Sequence, residues 1–323
     1  MRFFLRGLPP ISLVLCTMSA FVGVDVSARW LDVALPSGEV LRVPNPEGIP
    51  SLLEALPPGA SVGLEATSTY YRPLAYALHQ AGFWVYVLNP QAVKAYARSL
   101  LRRAKTDKAD ARLIARFLAE RHVDLPLYTP LEDSLVLLSL LVRFSEALTS
   151  DRVGALNRLH AWEYVVPGVS GILGYVPRTL RGLREEVMQK ALEVAQADPV
   201  VSRWLDSLTT LPGFGHVLAL KVLAYSGDMT RFRSARAYAA FTGLTPRIYQ
   251  SGDAPEKSAI SRVGPSRLRS AFYMAALSAY RFDAERREWV DRMVARGKPK
   301  RLALTALAAR LARAAWAVCV RGA

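Results

Sequence analysis

The chain has 323 residues, 51% hydrophobic and 21% charged, which excludes an intrinsically disordered protein and allows one large or two modest domains. Lys and Arg number 42 against 27 Asp and Glu, and the net charge of +15 favours polyanionic partners, nucleic acid first among them. Cys16 and Cys319 form no CxxC pair and the four histidines are scattered, so a disulfide framework and a Cys-rich zinc site are excluded and a reducing cytoplasm fits.

Residues 1–17 run basic, apolar and small, in the manner of a secretory signal, but Pro9 and Pro10 interrupt the apolar run. A buried strand follows at once, so this segment is read as an upstream extension with Met18 as a candidate start. The apolar run at residues 302–320 is broken by Arg310 and Arg313 and reads as a buried or amphipathic helix, so no membrane association is expected.

Residues 18–125 read as an α/β domain. A continuous apolar strand is expected at 20–26, then strands at 30–35 and 40–43 around P-S-G. A helix at 49–56, a strand at 61–65, a helix at 70–81 and a strand at 83–88 follow, then a helical region to about Glu120, broken near Lys105 and Thr106. Three strands followed by βα units resemble the element order of the ribonuclease H-like fold. Residues 126–200 predict a helical hairpin or coiled coil, with helices at 131–159 and 178–196 joined by a Gly, Pro and Val linker. Residues 201–323 read as a mostly helical C-terminal domain. There L-P-G-F-G precedes an apolar helix, a second helix is expected at 231–242, and a punctuated loop precedes a helix at 266–280.

The acids carry most of the chemistry. Asp25 lies inside F-V-G-V-D-V, where an unpaired carboxylate is costly and needs a cation, a hydrogen-bond cage or a proton. Glu65 closes the strand V-G-L-E, and Asp107 and Asp110 stand three apart in K-T-D-K-A-D, on one face of a helix. Nine Lys or Arg lie between Lys94 and Arg121, against three acids. Four converging carboxylates would repel one another unless divalent cations neutralised them, and an oxygen-only site suits Mg²⁺ or Mn²⁺. Two such ions can activate a nucleophile and stabilise a leaving oxygen in phosphoryl transfer. Each acid also has a structural reading: Asp107 as a helix cap with Asp110 in the first turn, Asp25 as the partner of an arginine, Glu65 as a cap.

V-G-V-D-V-S at 22–27, G-L-E-A-T at 63–67 and K-T-D-K-A-D-A at 105–111 resemble, in order, the three motifs of the DEDD insertion-sequence transposases. L-P-G-F-G at 211–215, F-R-S-A-R-A-Y-A-A-F-T-G-L-T-P at 232–246 and Y-Q-S-G at 249–252 are similar to that family's C-terminal domain. The resemblance covers most of residues 21–280. It implies a RuvC-like N-terminal domain with Asp25, Glu65, Asp107 and Asp110 as Mg²⁺ or Mn²⁺ ligands, and Ser251 as a nucleophile that forms a phosphoserine link to DNA. It further implies a noncoding bridge RNA as guide, donor and target DNA as substrates, and a homo-oligomer, dimer or tetramer, with a site shared between protomers.

Gly213 and Gly215 resemble the hairpin of a helix-hairpin-helix module, where backbone N–H groups approach a phosphate; a tight turn is the plainer reading. Lys105, Lys108, Arg231, Arg233, Arg236, Lys257, Arg262, Arg267 and Arg269 are candidate phosphate contacts, and Tyr249 a candidate for base stacking. Two departures from the family stand out: Ala28 replaces a frequent lysine, and Asp253 and Glu256 follow Ser251 where the segment is commonly basic. The rival readings are a RuvC-like nuclease on branched DNA with Ser251 idle, and a non-catalytic nucleic-acid-binding protein with structural acids.

Overall fold

The computed structural model describes residues 20–66, 69–100, 107–249 and 257–322; of these, 107–108, 247–249 and 257–259 are described by backbone alone. The chain divides into two compact units, with the boundary between Pro130 and Leu131.

The first unit is built on five strands: β1 (Phe21–Val26), β2 (Trp30–Ala34), β3 (Val40–Pro44), β4 (Ser61–Glu65) and β5 (Trp84–Leu88). They lie in the order β3-β2-β1-β4-β5. β1–β2 and β2–β3 are antiparallel, whereas β1–β4 and β4–β5 are parallel, so β2 alone runs against the others. The P-S-G turn joins β2 to β3, with Gly38 at φ +88° and the Leu35 amide donating to the Glu39 carbonyl at 2.9 Å. Parallel neighbours need crossovers, and α1 (Ile49–Ala55) and α2 (Arg72–Gln80) supply them.

Alternation along β1 sorts its side chains. Val22, Val24 and Val26 pack with Leu52 of α1 and Leu74 and Leu78 of α2. The opposite face is covered by α3 (Pro90–Ser99) and α4 (Asp107–Arg121), through Leu88, Val93, Ile114 and Leu118. The Asn89 side chain caps α3 by accepting from the Gln91 amide at 2.8 Å, ahead of Pro90. This mixed sheet is compatible with the expected α/β class, and its elements follow the expected order.

The second unit opens with a helical hairpin, α5 (Asp133–Val165) and α7 (Tyr175–Ala197). The linker between them holds a short helix, α6 (Val169–Leu173). Glu163 ties that corner by accepting from the Gly168 and Ser170 amides, each at 2.8 Å, and these donors hold its carboxyl below the usual range. Helices α8 (Pro199–Thr209), α9 (His216–Ser226), α10 (Ala235–Thr242), α11 (Ser266–Phe282), α12 (Ala284–Ala295) and α13 (Lys300–Arg321) complete the unit. Leu135, Leu138 and Val142 of α5 and Ala191 and Ala195 of α7 share one core with Leu307, Leu311 and Trp316 of α13. By length and composition α13 could cross a membrane, but 44% of its apolar window is buried within this protein core.

Two expectations change here. The helix expected at 231–242 begins only at Ala235, because the Ser234 hydroxyl accepts from the Ala237 amide and starts α10 there. Arg231 instead ends a 3₁₀ turn, Met229–Arg231, and Arg233 precedes the helix. The punctuated loop contains an antiparallel ladder, β6 (Pro246–Tyr249) with β7 (Lys257–Ile260), in which Pro246 faces Ile260 and Tyr249 faces Lys257. Ser251, in the connection between these strands, lies outside the described residues, as does Lys105.

Candidate active site

Two glycines place the N-terminal acids. Gly23 and Gly63 stand opposite each other in the β1–β4 register, on the face covered by α4. A Cβ on Gly23 would sit 2.2 Å from both the Ala111 carbonyl oxygen and the Ala115 amide nitrogen, so only glycine admits the helix this close. A Cβ on Gly63 would meet Ile114 and Leu118 at 3.3 and 3.4 Å. Asp25 and Glu65 lie two residues beyond these glycines, and therefore on the same face of the sheet. On α4, Ile114 comes four residues after Asp110 and Ala111 four after position 107, so both positions continue the sheet-facing stripe toward the helix start.

Asp25, Glu65 and Asp110 are half-buried. The deeply buried acid of this row is Asp32, 3% exposed and paired with Asp25 across β1–β2. Arg42, its neighbour on β3, meets it in a two-pronged ion pair, Nε to Oδ1 at 2.9 Å and Nη2 to Oδ2 at 2.8 Å. The expectation of a strongly excluded environment thus fits Asp32 better than Asp25, which stands near the end of its strand. W-L-D-V-A carries the same apolar flanking as Asp25 and would have revealed it. The donor set is all oxygen and suits a hard divalent ion. Among the described residues no three acid, His or Cys groups gather closely enough to hold one, and the Asp107 side chain is not among them.

In the second unit the candidate basic residues divide by what they touch. Arg231 lies over the rings of Phe232 and Phe241, at 4.6 and 4.9 Å, and donates to the Ser226 carbonyl at 3.0 Å. Its guanidinium is therefore engaged in packing the fold. Arg267 approaches Glu146 at 3.7 Å, beside Lys221 at 3.0 Å on the same carboxylate. The Tyr225 hydroxyl also donates to Glu146, and burial, aided by that carboxylate, pushes the phenol up to about 12. Arg269 donates to the Gly264 carbonyl at 3.0 Å; burial and the neighbouring Arg262 lower its pKa. Arg233 and Arg236 are exposed. Lys108, Tyr249 and Lys257 are placed by backbone only.

The L-P-G-F-G turn has two different glycines. Gly213, at φ +85°, would place a Cβ 2.2 Å from the Ala275 carbonyl oxygen, so it serves the close approach of α11. Phe214 is buried beside Phe272, with ring centroids 6.0 Å apart. Gly215 faces open space at the start of α9, where the first-turn amides point outward. Of the pair, Gly215 is the one whose surroundings leave room for a phosphate.

Carboxylates along one sheet face of a mixed α/β unit, together with a helical unit with exposed arginines, are compatible with a nucleic-acid-processing protein. Comparison with known proteins narrows this. A DEDD IS110-type transposase family model matches residues 22–162, and a model described as the Transposase IS116/IS110/IS902 family matches residues 205–291. The pilin gene-inverting protein of Moraxella bovis is 32% identical over 79% of this chain and 78% of its own length. The transposase for insertion sequence element IS1328 of Yersinia enterocolitica is 28% identical over 77% of this chain and 80% of its own. The transposase for insertion sequence element IS1111A of Coxiella burnetii is 26% identical, covering 73% and 71%. The chain belongs to the IS110-type family of DEDD transposases. It is accordingly a transposase or recombinase acting on DNA, and the DEDD family points to divalent-metal chemistry.

Proposed function

We propose that this chain is a Mg²⁺- or Mn²⁺-dependent recombinase that cuts and rejoins DNA through a serine–DNA link, directed by a noncoding bridge RNA. The opposed Gly23–Gly63 pair carries the reading, because it lets α4 lie against the strands that bear Asp25 and Glu65. The sheet order, with β2 alone reversed, supports a ribonuclease H-like and RuvC-like description of the first unit. Asp25, Glu65, Asp107 and Asp110 would hold the metal, which when bound offsets their mutual repulsion and polarises a phosphate.

Ser251 is the proposed nucleophile. Its Oγ forms a bond to phosphorus, the bond to one deoxyribose oxygen breaks, and the serine proton ends on that leaving oxygen. The number of phosphodiester-type links is conserved, so a second strand's hydroxyl can reverse the step and expel the serine. Arg233, Arg236, Arg262, Arg267, Arg269, Lys105, Lys108 and Lys257 would hold phosphates. Tyr249 would stack on a base, and the amides beyond Gly215 would meet the backbone. Exposed Leu137, Leu140 and Phe144 along α5 support a homo-oligomer, dimer or tetramer, formed through the hairpin. A cytoplasmic location follows from a DNA substrate.

The test is direct. The protein is incubated with DNA, Mg²⁺ and RNA from the flanks of its gene, and denaturing gels are examined for a protein–DNA adduct. The adduct is expected in the wild type and absent in Ser251→Ala. Strand cleavage that survives Ser251→Ala without adduct would instead establish a metal-dependent nuclease. DNA binding without any cleavage would establish a non-catalytic binding protein.

A further inference from the structure

The second unit contains a cleft of about 1030 Å³, at the upper end of the roughly 300–1,000 Å³ usual for ligand pockets. It opens between the foot of the β6–β7 ladder, at Pro246 and Ile260, and helices α11 and α13. Arg262, Arg269, Arg301 and Arg313 line it, and among the described residues no Asp or Glu does. Among the described residues none of these four makes an ion pair with a carboxylate. Other cations on the same helix are engaged elsewhere: Arg310 lies over the Trp289 ring and Lys300 over that of Tyr280.

Arg262 is held by an unusual backbone conformation. Arg262, at φ 55°, is the one non-glycine residue in the left-handed region among those described. Its amide is fixed by the Gly243 carbonyl at 3.1 Å. Glycines close the knot around it: a Cβ on Gly243 would fall 2.8 Å from the Arg269 guanidinium, and one on Gly264 would fall 1.9 Å from the Phe241 carbonyl oxygen. Along α13, Arg301 and Arg313 are separated by multiples of four residues, with Thr305 and Ala309 between them on the same stripe. The wall between the charges is apolar, formed by Leu244, Tyr273, Leu302 and Ala306.

An arginine rim around an apolar wall fits one kind of polyanion better than another. A duplex presents phosphates outside and keeps its base faces stacked, so its convex surface has no use for a concave apolar wall. A single strand offers both phosphates and free base faces. We infer that this cleft binds a single-stranded nucleic-acid segment, with phosphates on Arg262, Arg301 and Arg313 and an unstacked base against Tyr273 and Leu302. The inference deepens the recombinase reading and rests on it for its biological setting, because the ladder at the cleft's edge leads into the segment that carries Ser251.

The experiment measures fluorescence anisotropy of labelled oligo(dT), and of a duplex of equal length, with the full chain. Arg301→Ala/Arg313→Ala is expected to weaken oligo(dT) binding about tenfold or more, with a salt slope smaller by about 1.4 for two lost phosphate contacts. Duplex binding is expected to weaken less than about threefold, because it uses the remaining basic surface. Leu302→Asp, at a position already 44% exposed, is expected to repeat the single-strand-selective loss without unfolding the helix. Equal losses on both probes, or none on either, in variants that melt as the wild type does, would overturn the inference. So would polyglutamate displacing oligo(dT) as well as unlabelled oligo(dT), since charge alone would then account for binding. A single-strand-selective loss in a protein that forms no DNA adduct would leave the cleft standing and remove the serine reading. Adduct formation with indifferent cleft variants would do the reverse.

Discussion

Both units use glycine to bring a helix against neighbouring backbone, but the approach serves different ends. In the first, Gly23 and Gly63 let α4 settle on the sheet, and the acids two residues further on share the face it covers. In the second, Gly213 lets the turn before α9 meet α11, while the residue after Phe214, Gly215, faces open space. The first arrangement sets the proposed catalytic acids on strands, where position is over-determined. The second leaves the contacts proposed for nucleic acid on turns, cleft walls and a two-stranded ladder. Packing and proposed binding fall on different glycines two residues apart in the second unit, and on one sheet face in the first.

The largest effects test that contrast. Gly23→Val and Gly213→Ala are each expected to destabilise their unit by about 3 kcal/mol or more, measured by urea unfolding, because the added carbons meet backbone rather than a movable side chain. Gly215→Ala, in open space, is expected to change stability by less than about 0.5 kcal/mol. It should still weaken DNA binding if the α9 amides meet a phosphate; a large stability loss there would erase the distinction between the two glycines.

A second, smaller effect concerns Glu146, which accepts from Tyr225 and pairs with Lys221 on α9. Glu146→Ala is expected to cost about 2 kcal/mol, since it strands a half-buried hydroxyl and ammonium. It should also bring the Tyr225 phenol down from about 12, read by ultraviolet titration, although burial keeps it above the ordinary value.

A smaller loss than at Glu146 is expected at Asp198, which caps α8 through the Val200 and Val201 amides at 2.8 and 3.1 Å and accepts from Ser134 of α5 at 2.6 Å. Asp198→Ala is expected to cost about 1 kcal/mol. The Ser134 hydroxyl, first, and the two amides hold the Asp198 carboxyl below its unfolded value. Its contribution is therefore complete above the ordinary carboxylate range and is lost as pH falls through the lowered folded value. The variant's deficit should shrink in acid; a deficit constant with pH would assign the effect to lost packing.

Legibility in the sequence followed the strength of the local signal. The strands of the first unit stood out because apolar runs alternate with Pro and Gly punctuation, and Asp25 and Glu65 interrupt those runs. The β6–β7 ladder did not, because P-R-I-Y and K-S-A-I are short and surrounded by turn residues. The helix expected at 231–242 starts too early, because it passes over Ser234, whose hydroxyl caps α10. Asp32 escaped because it matches no motif, although it is more deeply buried than Asp25. The cleft arginines on α13 escaped for another reason. Arg313 reads in sequence only as an interruption of an apolar run, and its distance from Arg262 along the chain hides their shared cleft.

The acids are the feature on which the proposed chemistry rests, and Asp25→Asn is the sharpest probe of them. The change keeps size and hydrogen-bonding shape while removing the charge that a divalent ion would meet. Strand cleavage should be abolished in Mg²⁺ and Mn²⁺, while circular dichroism, melting and DNA binding stay as in the wild type. Cleavage at the wild-type rate in that folded, DNA-bound variant would contradict a metal-bound carboxylate at Asp25.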